Sequence, residues 1–267
     1  MVLSETRRRL IARLHRRKTR EREGLVLVEG ARAVAEALGN GARPRFALRT
    51  PDAPASTFGD LQARLAEVPD LQEISQGEMR TLSGTETPQG VILVAEEPRV
   101  DPAEVWADPE GRIVLLDGIQ DPGNVGTLVR VSAAFGCSAV VALDGTADLW
   151  SPKALRASAG TAFRIPLLRE PWQEANRRLE EWPGRLFAAD AGGEPVAGSI
   201  RPTPWALALG GEGAGCRASL RDRADSALSI PMPGGVESLN VGIAGALLLY
   251  ELTRDHPRET TPTPETL

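Results

Sequence analysis

The run Arg112-Ile-Val-Leu-Leu-Asp-Gly-Ile-Gln-Asp-Pro-Gly-Asn-Val-Gly-Thr-Leu-Val-Arg130 decides the fold. The apolar residues after Arg112 read as a strand buried on both faces, since such a strand needs no polar alternation. A polar loop, Asp117 to Gly126, follows. The pattern from Thr127 to Phe135 then predicts a helix, and Ala139 to Leu143 the next strand. Strand, loop, helix, strand is the unit of an open α/β sheet, which binds ligands in the loops leaving its strands.

Outward from this run the pattern persists. Downstream, strands are expected at 185–189, 205–209 and 227–230, with a last helix from about Ser238 to Arg254. Upstream, residues 4–23 read as one helix. Strand 25–29, closed by Gly30, helix 31–38, strand 45–49, helix 61–68, strand 71–75, helix 77–82 and strand 90–95 come next. Between the halves, Pro98, Pro102 and Pro109 stand among acidic residues, as in a linker. The expected layout is a smaller α/β domain over 1–96, a linker over 97–110, a larger α/β domain over 111–254 and a disordered tail from 255.

Composition narrows the chemistry. The longest clean apolar run, Val241 to Tyr250, is too short to span a bilayer, and the N-terminus lacks the apolar core of a signal peptide, so a soluble cytoplasmic protein is expected. Cys137 and Cys216 stand alone, without the spacing of a zinc site or a disulfide framework. The two histidines, His15 and His256, lie in a basic arm and a Pro/Thr-rich tail, which argues against imidazole chemistry. Net charge is −5, yet residues 1–22 carry Arg7, Arg8, Arg9, Arg13, Arg16, Arg17, Lys18, Arg20 and Arg22 against Glu5 and Glu21. That arm is either a solvated helix face or a phosphate-binding surface, with Arg13, Arg16, Arg17, Lys18 and Arg20 as RNA contacts on the second reading. Aromatic content of 4% disfavours extensive base stacking.

Three loops of the larger domain could carry chemistry, each with an ordinary alternative. In Asp117 to Gly126, Asn124 near a helix start and Arg130 beyond it could border one cleft, or be a cap and a surface arginine. Gly210-Gly-Glu-Gly-Ala-Gly215 lets backbone approach a ligand and sets Glu212 among glycines, or is a plain turn. It lacks the lysine of a P-loop, and Cys216 breaks G-x-G-x-x-G. The third loop, Ile230-Pro-Met-Pro-Gly-Gly-Val-Glu-Ser-Leu-Asn240, offers Ser238 or Asn240 as a cap for a helix whose Gly242, Ala244, Gly245 and Ala246 suit close packing, within the chain or against a dimer partner.

Together these segments resemble the three motifs of the SpoU-type (TrmH-like) RNA 2′-O-ribose methyltransferases of the SPOUT class. Asp121-Pro-Gly-Asn-Val-Gly126 with Arg130, then Leu209-Gly-Gly-Glu-Gly213, then Ile230-Pro-Met232 with Ser238-Leu-Asn-Val241, occur in family order and spacing. Lys153 to Pro166, with Arg156, Ser158, Gly160 and Ile165-Pro166, is similar to the intervening family segment. Arg17-Lys18 through Glu29-Gly30 and Pro88-Gln-Gly90 resemble the accessory RNA-binding domain, of a ribosomal-protein-like fold.

The resemblance implies a trefoil-knotted α/β domain, a homodimer, S-adenosylmethionine as cofactor, no metal, and methylation of a ribose 2′-hydroxyl of structured RNA, with ribosomal RNA favoured by the two-domain layout and transfer RNA as the alternative substrate. It implies cofactor contacts at Leu209, Gly210, Gly211, Ile230, Met232 and Leu239, and catalytic positions at Arg130, Asn124, Glu212, Ser238 and Asn240. Arg130 either guides the hydroxyl proton or binds the neighbouring phosphate, a guanidinium being a poor base. The rivals are a Rossmann-type enzyme built on Gly210 to Gly215, which would need that loop after its domain's first strand, and a catalytically silent RNA-binding or ribosome-assembly protein.

Overall fold

The computed structural model describes residues 3–51, 61–196 and 204–255. The expected disordered tail lies, beyond Asp255, outside them, as does His256. The chain divides into two compact units, Met1–Arg99 with Asp148–Arg164, and Val100–Ala147 with Ile165–Leu267.

The first unit begins with α1 (Glu5–Leu14) and α2 (Arg17–Glu23), two helices where one was expected. The break falls at Arg16, whose backbone is extended (φ −97°, ψ 129°). Ile11 and Leu14 of α1 are buried in this unit's core. Then come β1 (Leu25–Glu29), α3 (Ala31–Gly39), β2 (Pro44–Arg49), α4 (Leu61–Ala66), β3 (Leu71–Glu73), α5 (Gln76–Leu82) and β4 (Val91–Glu96). The sheet order is β1-β4-β2-β3, antiparallel except for the β2–β3 pair. Ser75 and Glu78 form a capping box that starts α5. Leu27, Phe46, Leu48, Met79, Ile92 and Val94 fill the core.

The second unit opens with a helix inside the expected linker, α6 (Pro102–Ala107). Asp101 caps it, Pro102 occupies its first turn, and Val105 and Trp106 are buried in this unit's core, so the stretch is packed structure rather than a tether. Next are β5 (Arg112–Asp117), α7 (Pro122–Ala134) and β6 (Ala139–Ala142). The chain then contributes α8 (Pro152–Ala157) and a 3₁₀ turn, Thr161–Phe163, to the first unit. By their contacts, residues 148–164 group with the first unit, although they lie inside the stretch expected as the larger domain. Two ion pairs and a close approach hold the segment: Asp148 meets Arg20, Arg156 meets Glu29, and a Cβ at Gly160 would lie 2.4 Å from the Ala33 carbonyl oxygen.

The second unit resumes with β7 (Leu167–Arg169), α9 (Trp172–Glu181), β8 (Arg185–Pro195), β9 (Trp205–Gly210), α10 (Ala218–Arg223), β10 (Ser226–Ser229) and α11 (Val241–Thr253). Its six strands are all parallel, in the order β10-β8-β9-β5-β6-β7. Every residue of β5 is buried, as a central parallel strand requires. Helix α11 packs on α7 through glycine: a Cβ at Gly242 would sit 3.1 Å from Thr127, and one at Gly245 2.3 Å from Leu128. The small-residue face of α11 is therefore used within the chain.

Candidate active site

The first two loops leave adjacent strands, Asp117 of β5 standing in register with Gly210 of β9. The third leaves β10, separated from β9 by β8. The sheet thus delivers all three at its carboxyl ends, where ligands of such sheets lie.

In the first loop Asp121 is the cap, its carboxylate accepting from the Asn124 backbone N–H at 3.2 Å. Helix α7 starts at Pro122, five residues before the expected Thr127, and Asn124 sits in its first turn. Asp-Pro at the cap and first helical position was the available signal. Arg130 lies further along α7, exposed, and among the described residues no ion pair holds it.

The second loop needs its glycines. A Cβ at Gly210 would lie 2.0 Å from the Gly215 carbonyl carbon, and one at Gly211 2.7 Å from the Gly118 oxygen, so neither position takes a side chain. The Gly211 N–H donates to the Asp117 carbonyl and the Gly215 N–H to that of Gly211, both at 3.0 Å. This closes a tight loop that presents Glu212 to solvent.

A buckle that sequence reasoning missed fixes the loop's far end. The buried Asp117 carboxylate accepts from the Arg217 backbone N–H and Nε, each at 2.7 Å. The Arg217 guanidinium also donates to the Asp144 carbonyl and lies over the Trp172 ring. Hydrogen bonding to Asp117 holds this arginine further above its ordinary range. Neighbouring Cys216 is buried, and desolvation, aided by the Asp117 charge, pushes its thiol up to about 12.

In the third loop the cap of α11 is Asn240 rather than Ser238. Its Oδ1 accepts from the N–H groups of Gly242 and Ile243, at 2.9 and 3.4 Å. Its Nδ2 faces the other way and joins the three loops. It donates to Glu212 Oε1 and to Asn124 Oδ1, both at 3.0 Å, while Asn124 Nδ2 donates to the same Glu212 oxygen at 2.9 Å. One carboxylate oxygen thus takes two amide donors, and both asparagine orientations are fixed. The other Glu212 oxygen has no partner among the described residues and can accept from a ligand.

Of the residues expected to hold a cofactor, Leu209 is buried, while Gly210, Gly211, Ile230, Met232 and Leu239 are partly exposed in the second and third loops. Partly exposed apolar side chains and glycine backbone suit a ligand that is part aromatic ring and part amino acid. Ser238 is exposed in the third loop. Among the described residues no cluster of three or more His, Cys, Asp or Glu could hold a metal ion, and no helix is long and apolar enough to cross a membrane.

In the first unit Arg13, Arg16, Arg17 and Lys18 are exposed. Arg17 donates to Glu21 at 2.7 Å, and this hydrogen bond raises it above its ordinary range. Arg20 is corrected. It is 2% exposed, donates to the Leu14 carbonyl and pairs with Asp148, so it anchors structure and cannot reach a phosphate. Arg7 and Arg8 are likewise paired, with Asp70 and Glu78.

The SpoU rRNA methylase family matches residues 111–250, and an MRM3-like substrate binding domain matches residues 7–93. The chain is 32% identical to the 23S rRNA (guanosine(2553)-2′-O)-methyltransferase RlmP of Bacillus subtilis, over 90% of this chain and 93% of that protein. It is 30% identical to a 23S rRNA (uridine(2479)-2′-O)-methyltransferase of Streptomyces viridochromogenes, over 94% and 90%. Among solved structures, the SpoU methyltransferase AviRb of S. viridochromogenes in complex with AdoMet superposes with a TM-score of 0.80 at 29% identity, covering 94% of this chain and 98% of that one.

Proposed function

We propose, from the premise that the chain belongs to the SpoU rRNA methylase family, that it methylates a ribose 2′-hydroxyl of ribosomal RNA with S-adenosylmethionine as donor. The observation that carries the reading is the junction of Asn124, Glu212 and Asn240, which draws three separate loops into one rigid polar centre.

When bound, the cofactor supplies a methyl already activated on a sulfonium. The chain's own task is to hold the ribose oxygen in line and to ease loss of its proton. Gly210, Gly211 and the partly exposed Ile230, Met232 and Leu239 form the wall for the nucleoside and amino-acid parts. Glu212, its first oxygen held by two amides, offers its second to a ligand hydroxyl or ammonium. Arg130, always charged and without a counter-ion among the described residues, binds the phosphate next to the target ribose and stabilises negative charge developing on the oxygen. Ser238 lies within reach of solvent on the third loop, as a substrate-positioning hydroxyl.

Exposed Arg13, Arg16, Arg17 and Lys18 gather RNA through its phosphates. The enzyme works in the cytoplasm as a homodimer, with the family's trefoil knot. An apolar stripe on α11, Ile243, Leu247 and Tyr250 at 54%, 41% and 48% exposure, recurs at helical spacing and supports the dimer.

Isothermal titration with S-adenosylmethionine, wild type beside the double variant Ser238→Ala, Leu239→Asp, tests the cofactor site. Binding by the wild type that the variant loses is expected. Absence of wild-type binding at millimolar cofactor, with or without ribosomal RNA, would point to a silent RNA-binding relative.

A further inference from the structure

The first unit contains a cavity of about 300 Å³ whose lining shares no residue with the junction of Asn124, Glu212 and Asn240. It opens between the start of α3 and the chain leading into β4, with the end of the α8 segment as a further wall. Glu29 is the one carboxylate in its lining, and it is 4% exposed. It accepts from Ser83 Oγ and the Gly84 N–H, both at 3.1 Å, and from Arg156 at 2.9 Å. The buried charge is thereby neutralised and the walls are tied together, so no free anion faces the space.

Its shape depends on two unusual backbone positions. Gly30 (φ 99°) turns β1 into α3, and a Cβ there would meet Gln89 Oε1 at 2.9 Å; that oxygen instead accepts from the Ala31 N–H at 3.1 Å. The Gln89 amide nitrogen is left as a donor at the rim. Ala159 (φ 52°) is the only non-glycine residue with positive φ among the described residues, and it lines the cavity. Such a conformation costs on the order of 1 kcal/mol and persists only where the surroundings enforce it, often at binding sites.

The rest of the lining divides cleanly. Ala33, Pro88, Val91 and Ala159 line the cavity with apolar surface, while Arg32, Arg156, Gln89 and the threonine hydroxyls supply polar groups. Arg32 is exposed, and no ion pair holds it among the described residues. An apolar slot with cations and amide donors at its mouth is complementary to a nucleobase joined to a phosphate. The base edges and flat faces of paired RNA are not open to such a slot, whereas an unpaired nucleotide can be splayed into it.

We infer that this cavity receives one unpaired nucleotide of the RNA substrate, base against Ala33, Pro88 and Val91 and phosphate on Arg32. The inference rests on the RNA substrate of the proposed function but not on its chemistry, so its test needs no cofactor. The shared chemistry of a free nucleotide and a nucleotide within RNA is separated by competition.

The probe is a fluorescein-labelled single-stranded decaribonucleotide of mixed sequence, titrated with full-length protein by anisotropy. A blunt duplex of the same sequence, and AMP or UMP at millimolar concentration, serve as competitors. Arg32→Ala removes the phosphate contact, Thr87→Trp fills the mouth from an exposed position, and Arg177→Ala, in the second unit, is the charge-matched control. Urea midpoints and cofactor titration of each variant report folding and the other site.

Arg32→Ala is expected to weaken single-strand binding about tenfold and to reduce the salt slope by about 0.7. Thr87→Trp should abolish the preference for single strands over duplex, while Arg177→Ala changes nothing. Wild-type affinity in both cavity variants, equal competition by the duplex, or full displacement by mononucleotides would overturn the inference. Loss of single-strand binding with cofactor binding intact supports it, and the same loss in a protein that binds no cofactor would sink the methyl-transfer reading while leaving the cavity's role standing.

Discussion

Glu212 takes two amide donors on one oxygen, so small changes there should cost activity rather than stability. Asn240→Ala removes two bonds of the junction and the α11 cap; methyl transfer should fall by about 10²-fold through misplacement alone, and the helix should lose roughly 1 kcal/mol. Steady-state kinetics beside urea unfolding separates the two effects. Arg217 should behave in the opposite way. Arg217→Ala leaves the buried Asp117 carboxylate with only a backbone donor from that residue, at a cost of about 1–3 kcal/mol, which Arg217→Lys restores in part. Cys216 gives a pH signature: with its thiol raised to about 12 in the fold against an ordinary 9.0, the unfolded chain ionises first. The stability it contributes is full below pH 9 and drains away as pH rises towards 12. Native protein should therefore resist thiol reagents at pH 8, and prompt labelling of Cys216 would contradict its burial. The loops that hold Asn124, Glu212 and Asn240 were legible in the sequence as glycine- or proline-rich stretches after strand patterns, while the choice of these three residues came from the family resemblance. The Asp117–Arg217 and Glu29–Arg156 pairs were not, since charges about a hundred residues apart declare no partner until the sheet is built.

At the scale of elements, hydrophobic patterning located the long buried strands β1, β5 and β9, whose runs admit no helical period. It failed where short polar helices owe their existence to caps and local packing. Asp101-Pro102 starts α6 inside the stretch read as a linker, and Ser151-Pro152 starts α8 in a stretch to which no element was assigned. The single expected helix over 4–23 breaks because His15, through its Nε2 contact with the Leu82 carbonyl at 3.0 Å, and the extended Arg16 set α2 on a new course. The α7–α11 contact is the element pair on which the site depends, since it carries Asn124 and Asn240 on facing helices. Gly245→Val would drive a side chain into Leu128 and Leu209. We expect about 1–3 kcal/mol of destabilisation and loss of cofactor binding together, whereas a small change at a partly exposed position, such as Ala244→Ser, should do neither.

For the whole molecule, the sequence located two α/β bodies but not the return of residues 148–164 to the first, which rests on the Arg20–Asp148 and Arg156–Glu29 pairs. Removing residues 1–22 would take Ile11 and Leu14 out of a core, so the basic surface is better tested by Arg13→Ala, Arg16→Ala, Lys18→Ala together. RNA affinity should drop and its salt slope shrink by about 2, at about 0.7 per phosphate contact, with no change in unfolding midpoint. Leu247→Asp on the exposed stripe of α11 should shift the sedimentation mass to that of one chain; unchanged mass would move the dimer contact elsewhere. The most direct test of the central claim is to incubate the protein with S-adenosylmethionine and unmodified ribosomal RNA, digest to nucleosides and analyse them by mass spectrometry. The account predicts a single 2′-O-methylated nucleoside, absent with Asn124→Ala; methylation on a base, or none despite bound cofactor, would contradict it.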